Sequence, residues 1–224
     1  MINILKSNAK LYIVWLLMIL CISIGVATTQ IFSIIALAIF AVFTLTISTN
    51  ESCVLLFGLL PFASIFKYQA NSMSFFTICE LLVVVLSFFK CKKIKESFLV
   101  CLLLFSIYMI ATSTKNFNLL DIIKILLGFY LIYLLTGNAK KEDVINISYM
   151  LATSTILTLL LSVNQTYFAY IKPYMLDLNY LLDSSGHATN TLRISGFLGD
   201  PNYCSALIIL SVALLSVLYY YKNF

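Results

Sequence analysis

Residues 11–48 read LYIVWLLMILCISIGVATTQIFSIIALAIFAVFTLTIS. This stretch holds two runs without a charge, Leu11–Ala27 and Ile31–Ser48, separated only by Thr28-Thr29-Gln30. Each run approaches the ~20 apolar residues that a helix needs to cross a hydrocarbon core. A three-residue polar break between them predicts a tight helical hairpin. Met1 to Lys10 followed by such a run imitates a secretory leader. The first run is long for one, however, and a second follows at once, so an uncleaved first helix is expected.

The rest of the chain repeats the pattern. Apolar residues make up 62% of the 224 and charged residues only 10%, with a mean hydropathy of +1.01. A soluble domain cannot cover that much apolar surface with so few polar groups, so the solvent must largely be lipid. Further spans are expected at Cys53–Phe66, Ser74–Phe89, Ser97–Thr112, Leu119–Thr136, Val144–Val163 and Cys204–Tyr221. The third is short and carries Pro61, which predicts a kink or a tilt. The fold class is therefore all-α, a polytopic bundle of about eight transmembrane helices. It divides into a seven-helix region (1–163), an extracytoplasmic loop (164–203) and a final helix (204–224).

Lysines between the apolar runs set the expected orientation. With the N-terminus inside, Lys6, Lys10, Lys90, Lys92, Lys93, Lys95, Lys140, Lys141 and Lys222 fall on the cytoplasmic side. Lys67, Lys115, Lys172 and Arg193 fall outside, and Lys124 falls within the sixth span. Nine against four satisfies the positive-inside rule, with KCKKIK at 90–95 as the strongest anchor. The formal charge of +5 thus reports topology. No basic helix or aromatic-basic alternation points to a nucleic-acid partner. Cys21, Cys53, Cys79, Cys91, Cys101 and Cys204 sit in or beside apolar runs without metal-ligand spacing and read as small hydrophobes.

On this topology the loop Asn164–Tyr203 faces outward. Met175, Leu178, Leu181 and Leu182 recur at helical spacing over Tyr174–Leu182, which predicts a short interfacial helix. Tyr167, Tyr170, Tyr174 and Tyr180 suit either sugar stacking or an aromatic belt. The sole histidine, His187, lies in a plain polar strip and reads as solvated loop. The loop ends in RISGFLGDPNY (193–203), which holds the only arginine of the chain. A guanidinium stays charged and presents a planar fork that matches phosphate oxygens two at a time. Gly196 and Gly199 permit close backbone approach, and Asp200-Pro201-Asn202 is a helix-start signal with Pro201 at the first position. Arg193 also suits an interfacial anchor to headgroup phosphates.

The pattern R-x-x-G-x-x-x-D-P-N-Y, leading into a small-residue apolar span, resembles the conserved region of the O-antigen ligase/polymerase superfamily. Those proteins are bacterial inner-membrane glycosyltransferases acting on polyprenyl-diphosphate-linked sugars outside the cytoplasmic membrane. The resemblance implies a cofactor-free and metal-independent enzyme of surface polysaccharide assembly, working with a polyprenyl-diphosphate-linked oligosaccharide and with other assembly proteins. It implies Arg193 as the catalytic diphosphate-binding residue, with Gly196, Asp200, Asn202 and Tyr203 around the substrate. Family members carry further basic residues in a later outward loop. The resemblance therefore covers an N-terminal portion, and activity is expected to need more chain or a partner.

Three ionisable residues fall within spans: Glu80, Asp121 and Lys124. An intramembrane charge costs roughly 2.5–3.5 kcal/mol at the midplane, so it normally faces the bundle interior. Asp121 and Lys124, three apart, are expected to pair on one helix face. Glu80 has no partner on its own helix, and the candidates across the bundle are Lys124 or a hydroxyl. These three are the features that suit a competing reading, a lipid-linked sugar flippase or transporter. An inactive remnant or accessory membrane subunit is the third reading.

Overall fold

The computed structural model describes residues 8–67, 74–90, 95–112, 119–163 and 201–222. Among these the chain is all-helical. Eight α-helices run Ala9–Ala27 (α1), Ile31–Thr46 (α2), Thr49–Leu59 (α3), Phe75–Phe89 (α4), Glu96–Thr112 (α5), Leu119–Asn138 (α6), Lys141–Val163 (α7) and Pro201–Lys222 (α8). Each expected span has its helix. Three contain stretches long and apolar enough to cross a membrane: Ala9–Val26, Lys141–Leu160 and Asn202–Tyr220. The other five are apolar but shorter.

The hairpin between α1 and α2 is tight for a local reason. Thr28 returns its amide and its hydroxyl to the Ile24 carbonyl at 2.8 Å each, ending α1. Gly25 lets α2 approach closely, since a Cβ there would lie 2.5 Å from Ser33 Oγ.

Both boundaries of α3 differ from expectation, since it ends at Leu59 rather than Phe66. It begins at Thr49 rather than Cys53 because Ser48 and Glu51 form a reciprocal capping box. The Ser48 side chain accepts from the Glu51 amide, and the Glu51 carboxylate accepts from the Ser48 amide at 2.9 Å. That exchange satisfies two helix-start donors, which outweighs the polarity of Thr49–Ser52. The expected irregularity at Pro61 takes the form of a change of helix type, with a 3₁₀ turn at Leu60–Phe62.

Though short, α3 is the axis of the bundle. Eight of its eleven residues are buried, and it packs against α1, α4, α6 and α7. Past its polar first turn, the stretch Cys53–Leu59 is uniformly apolar, as expected of a helix packed on several sides. By contrast α5 packs on α6 and α8 on α7, and both present exposed apolar side chains such as Leu103, Ile107, Ile209 and Val212.

Pro61 creates a polar problem in the middle of this core. The 3₁₀ turn asks for an amide three residues beyond Gly58, and a proline there has none to give. Trp15 Nε1 of α1 donates to the Gly58 carbonyl at 3.1 Å, and Ser154 Oγ of α7 donates to the same oxygen at 2.5 Å. Neighbouring helices thus satisfy the backbone group that the proline releases, as burial in an apolar medium requires. Gly58 is also a point of close approach between α3 and α7, for a Cβ would stand 2.9 Å from Met150 Cβ.

One end of the bundle collects the starts of α1, α3 and α7 with the ends of α2 and α4. Tyr12 donates to Asn146 Oδ1 at 3.1 Å, and Asn50 Nδ2 donates to Asp143 Oδ2 at 3.3 Å. Lys90 Nζ donates to the Thr44 and Ile47 carbonyls at 3.2 and 2.6 Å. It therefore caps α2 from across the bundle, a cation at the negative end of a helix dipole. Nearby, the Lys95 amide donates to Tyr133 OH at 2.9 Å, with Phe98 stacked on Tyr133 at 3.9 Å.

At the opposite end, the α3–α4 turn is closed by Ser74. Its hydroxyl donates to the Ala63 and Phe66 carbonyls at 2.9 and 3.1 Å and accepts from the Phe76 amide. Lys67, expected in a loop, is 1% exposed here and bridges backbone to Ser74. Burial pushes its ammonium below the usual lysine range, because a charge loses water there.

Candidate functional site

The residues expected to be functional divide into two groups. Arg193, Gly196 and Asp200 lie outside the described residues, as do His187 and the interfacial helix predicted at Tyr174–Leu182. Asn202 and Tyr203 open α8, which starts at Pro201 as the helix-start signal predicts. Both are exposed, Tyr203 at 67%.

The second group is intramembrane by sequence, and here the structure gives a geometry. Glu80 lies on α4, and Lys124 and Asp121 lie on α6, with the Asp121 side chain outside what is described. The helices α4 and α6 pack together and run parallel, since Ser87 Oγ meets Tyr130 OH at 3.1 Å while Glu80 sits opposite Gly128. Glu80 and Lys124 are each the sixth residue of their helix. At 1.5 Å per residue each sits about 7.5 Å along its own helix from that helix's start.

Glu80 is half-buried and Lys124 is exposed. The two residues thus stand on neighbouring helices, and the expected pairing of Lys124 with Asp121 lies outside the described side chains.

Beside Glu80 is a pocket of about 140 Å³. It is lined by Leu56 and Phe57 of α3, Leu60 of the 3₁₀ turn, Phe76 and Glu80 of α4, and Gly128, Leu131 and Ile132 of α6. The spacing explains the assembly: 76 and 80 share one face of α4, while 124, 128, 131 and 132 share one face of α6. Gly128 keeps the pocket open, because a Cβ added there would meet nothing within 4 Å. The pocket's lining is apolar apart from Glu80. The site is thus an apolar slot with one ionisable residue, Glu80, in its lining. Periodicity could have indicated it, through a glycine four residues after an intramembrane lysine.

No family model, curated protein or solved structure matches the chain.

Proposed function

We propose that this protein is a multi-pass component of the bacterial cytoplasmic membrane, acting as an O-antigen polymerase- or ligase-like glycosyltransferase in surface polysaccharide assembly. All eight helices cross the bilayer in this reading, with the N-terminus inside. The shorter helices are accommodated by local thinning and by burial against their neighbours. The described lysines Lys10, Lys90, Lys95, Lys140 and Lys141 sit at the helix ends that would face the cytoplasm. The loop 164–203 then faces outward, where a polyprenyl-diphosphate-linked oligosaccharide presents its phosphates.

The observation that carries this reading is RISGFLGDPNY itself: the chain's one arginine, two glycines and a helix-start signal, placed directly before an apolar helix that begins at Pro201. An acceptor sugar hydroxyl attacks the anomeric carbon of the donor. The bond from that carbon to the phosphate oxygen breaks, and its electron pair leaves on the polyprenyl diphosphate. The hydroxyl proton passes to a base. Arg193 counters the charge that grows on the leaving diphosphate, where two parallel hydrogen bonds are worth most in a water-poor setting. The start of α8 adds its own positive dipole end.

The test is a comparison of Arg193→Lys with Lys172→Ala in cells making the polysaccharide. A point charge cannot replace a fork, so the arginine change is expected to abolish long glycan while the lysine change leaves it near wild type. Unchanged glycan ladders in the Arg193→Lys strain remove the assignment. The intramembrane Glu80 in the lining of the slot favours one second reading, a flippase for lipid-linked sugars. That reading expects Glu80→Gln to stop lipid-linked sugar reaching the outer leaflet at unchanged Arg193.

A further inference from the structure

We propose that the face formed by α2 and α4 selects short-chain phospholipids and holds a thinned bilayer against it, while α8 takes chains of ordinary length. The proposal rests on the reading that these helices cross the membrane, and it is independent of the chemistry at Arg193. Its basis is the length of the apolar face. The helices α2 and α4 pack side by side. Ile34, Ile35 and Val42 of α2 stand exposed there, with Leu81, Val85 and Phe88 of α4. At 16 and 15 residues, the two helices rise about 24 and 22.5 Å. An ordinary hydrocarbon core is about 30 Å thick and exceeds this face by about 6–8 Å.

Polar groups fix both edges of the face. At one edge stand Gln30, just before α2, and Ser74, which caps α4. At the other, Lys90 follows α4 and donates to the Thr44 and Ile47 carbonyls at 3.2 and 2.6 Å. That contact brings the ends of both helices to one level. A short span can also be accommodated by flanking lysines that reach out to the headgroups, but this ammonium is turned back onto α2. Tilting only shortens a span further, so the lipid is what adapts. The case of α8 is different. Its apolar stretch Asn202–Tyr220 has 19 residues, rises about 28.5 Å and matches an ordinary core.

The experiment uses the full chain in vesicles and places one lipid-facing tryptophan per variant: Leu81→Trp on α4, Ala38→Trp on α2 and Val212→Trp on α8, all at exposed positions. Trp15 is 3% exposed and stays in place, its contribution being read from wild type. A phosphatidylcholine brominated on its oleoyl-length chains quenches each reporter. Unbrominated myristoleoyl, oleoyl or erucoyl phosphatidylcholine then competes for the annulus. At Leu81→Trp and Ala38→Trp the myristoleoyl lipid is expected to bind about two- to threefold better than the oleoyl lipid. At Val212→Trp the order is expected to reverse. The same chain-length order at all three positions overturns the proposal, and so does an erucoyl preference at Leu81→Trp. Quenching at Val212→Trp alone also overturns it, since protein rather than lipid would then cover the face. Quenching at none of the three removes the membrane-spanning reading itself. The α2 and α4 reporters are independent, so either one decides the matter if the other fails to fold.

Discussion

Trp15 Nε1 and the Gly58 carbonyl lie 3.1 Å apart across the α1–α3 interface, tying the chain's only tryptophan to the backbone oxygen that Pro61 leaves without an amide. Ser154 holds the same oxygen from α7. Either donor alone keeps the carbonyl satisfied. Trp15→Phe and Ser154→Ala are therefore each expected to cost about 0.6–1.5 kcal/mol. The double variant is expected to cost more than their sum, because it orphans a buried acceptor. Unfolding in mixed detergent micelles measures the cycle. Strict additivity would mean that another donor takes over.

Two helical glycines are expected to respond in opposite ways to the same substitution. Gly58→Ala forces a methyl to 2.9 Å from Met150 Cβ and 3.1 Å from the Trp15 Nε1, prising α3 from α7 at a cost of about 1–3 kcal/mol. Gly128→Ala meets open space and should be neutral or stabilising by up to about 1 kcal/mol, since alanine is the better helix former. Thermal melts of the two variants side by side check the sign.

Lys90 is expected to matter for folding as well as orientation. Lys90→Met leaves the Thr44 and Ile47 carbonyls without their cationic partner and should lower stability by about 1 kcal/mol. Lys90→Arg keeps a donor and charge within reach and should recover most of that loss. Equal melting of Lys90→Met and wild type would show that the two contacts carry no net energy.

Burial of Lys67 predicts a pH dependence. Its folded-state pKa is lowered, so between that value and the ordinary lysine value the unfolded chain binds more protons than the folded one. Stability must then rise with pH through that window, and the desolvation penalty is fully present below it. Other groups titrate at alkaline pH, so the measured quantity is the difference between wild type and Lys67→Met. That difference is expected to shift in favour of wild type as pH rises. A flat difference would contradict the burial account.

Much of the architecture was legible because apolar runs and lysine-bearing breaks are local signals. Every one of the eight helices lies where a predominantly apolar run lies, and Pro201 opens α8 as its chemistry dictates. The start of α3 was obscured by Thr49–Ser52, whose polarity suggested a loop. The Ser48–Glu51 spacing is the signal that outweighs it. What periodicity could not supply is the pairing of distant residues. Nothing local connects Trp15 with Gly58 or Lys90 with Thr44, for these depend on which helix faces which. Lys67 was read as a loop cation because sequence counts charges without seeing burial. The resemblance at Arg193–Tyr203, by comparison, rests on residue types alone, and most of that stretch lies outside the described residues.

The side of the membrane on which Arg193 sits decides whether it can meet a polyprenyl diphosphate at all. The direct measurement places single cysteines at Ser195 and Lys92 in a cysteine-free background and treats intact spheroplasts with a membrane-impermeant maleimide. The cysteine at 195 is predicted to label in intact spheroplasts, and that at 92 only after lysis. Labelling at 195 that requires lysis would put the arginine in the cytosol, away from the lipid-linked glycan, and contradict the proposed chemistry.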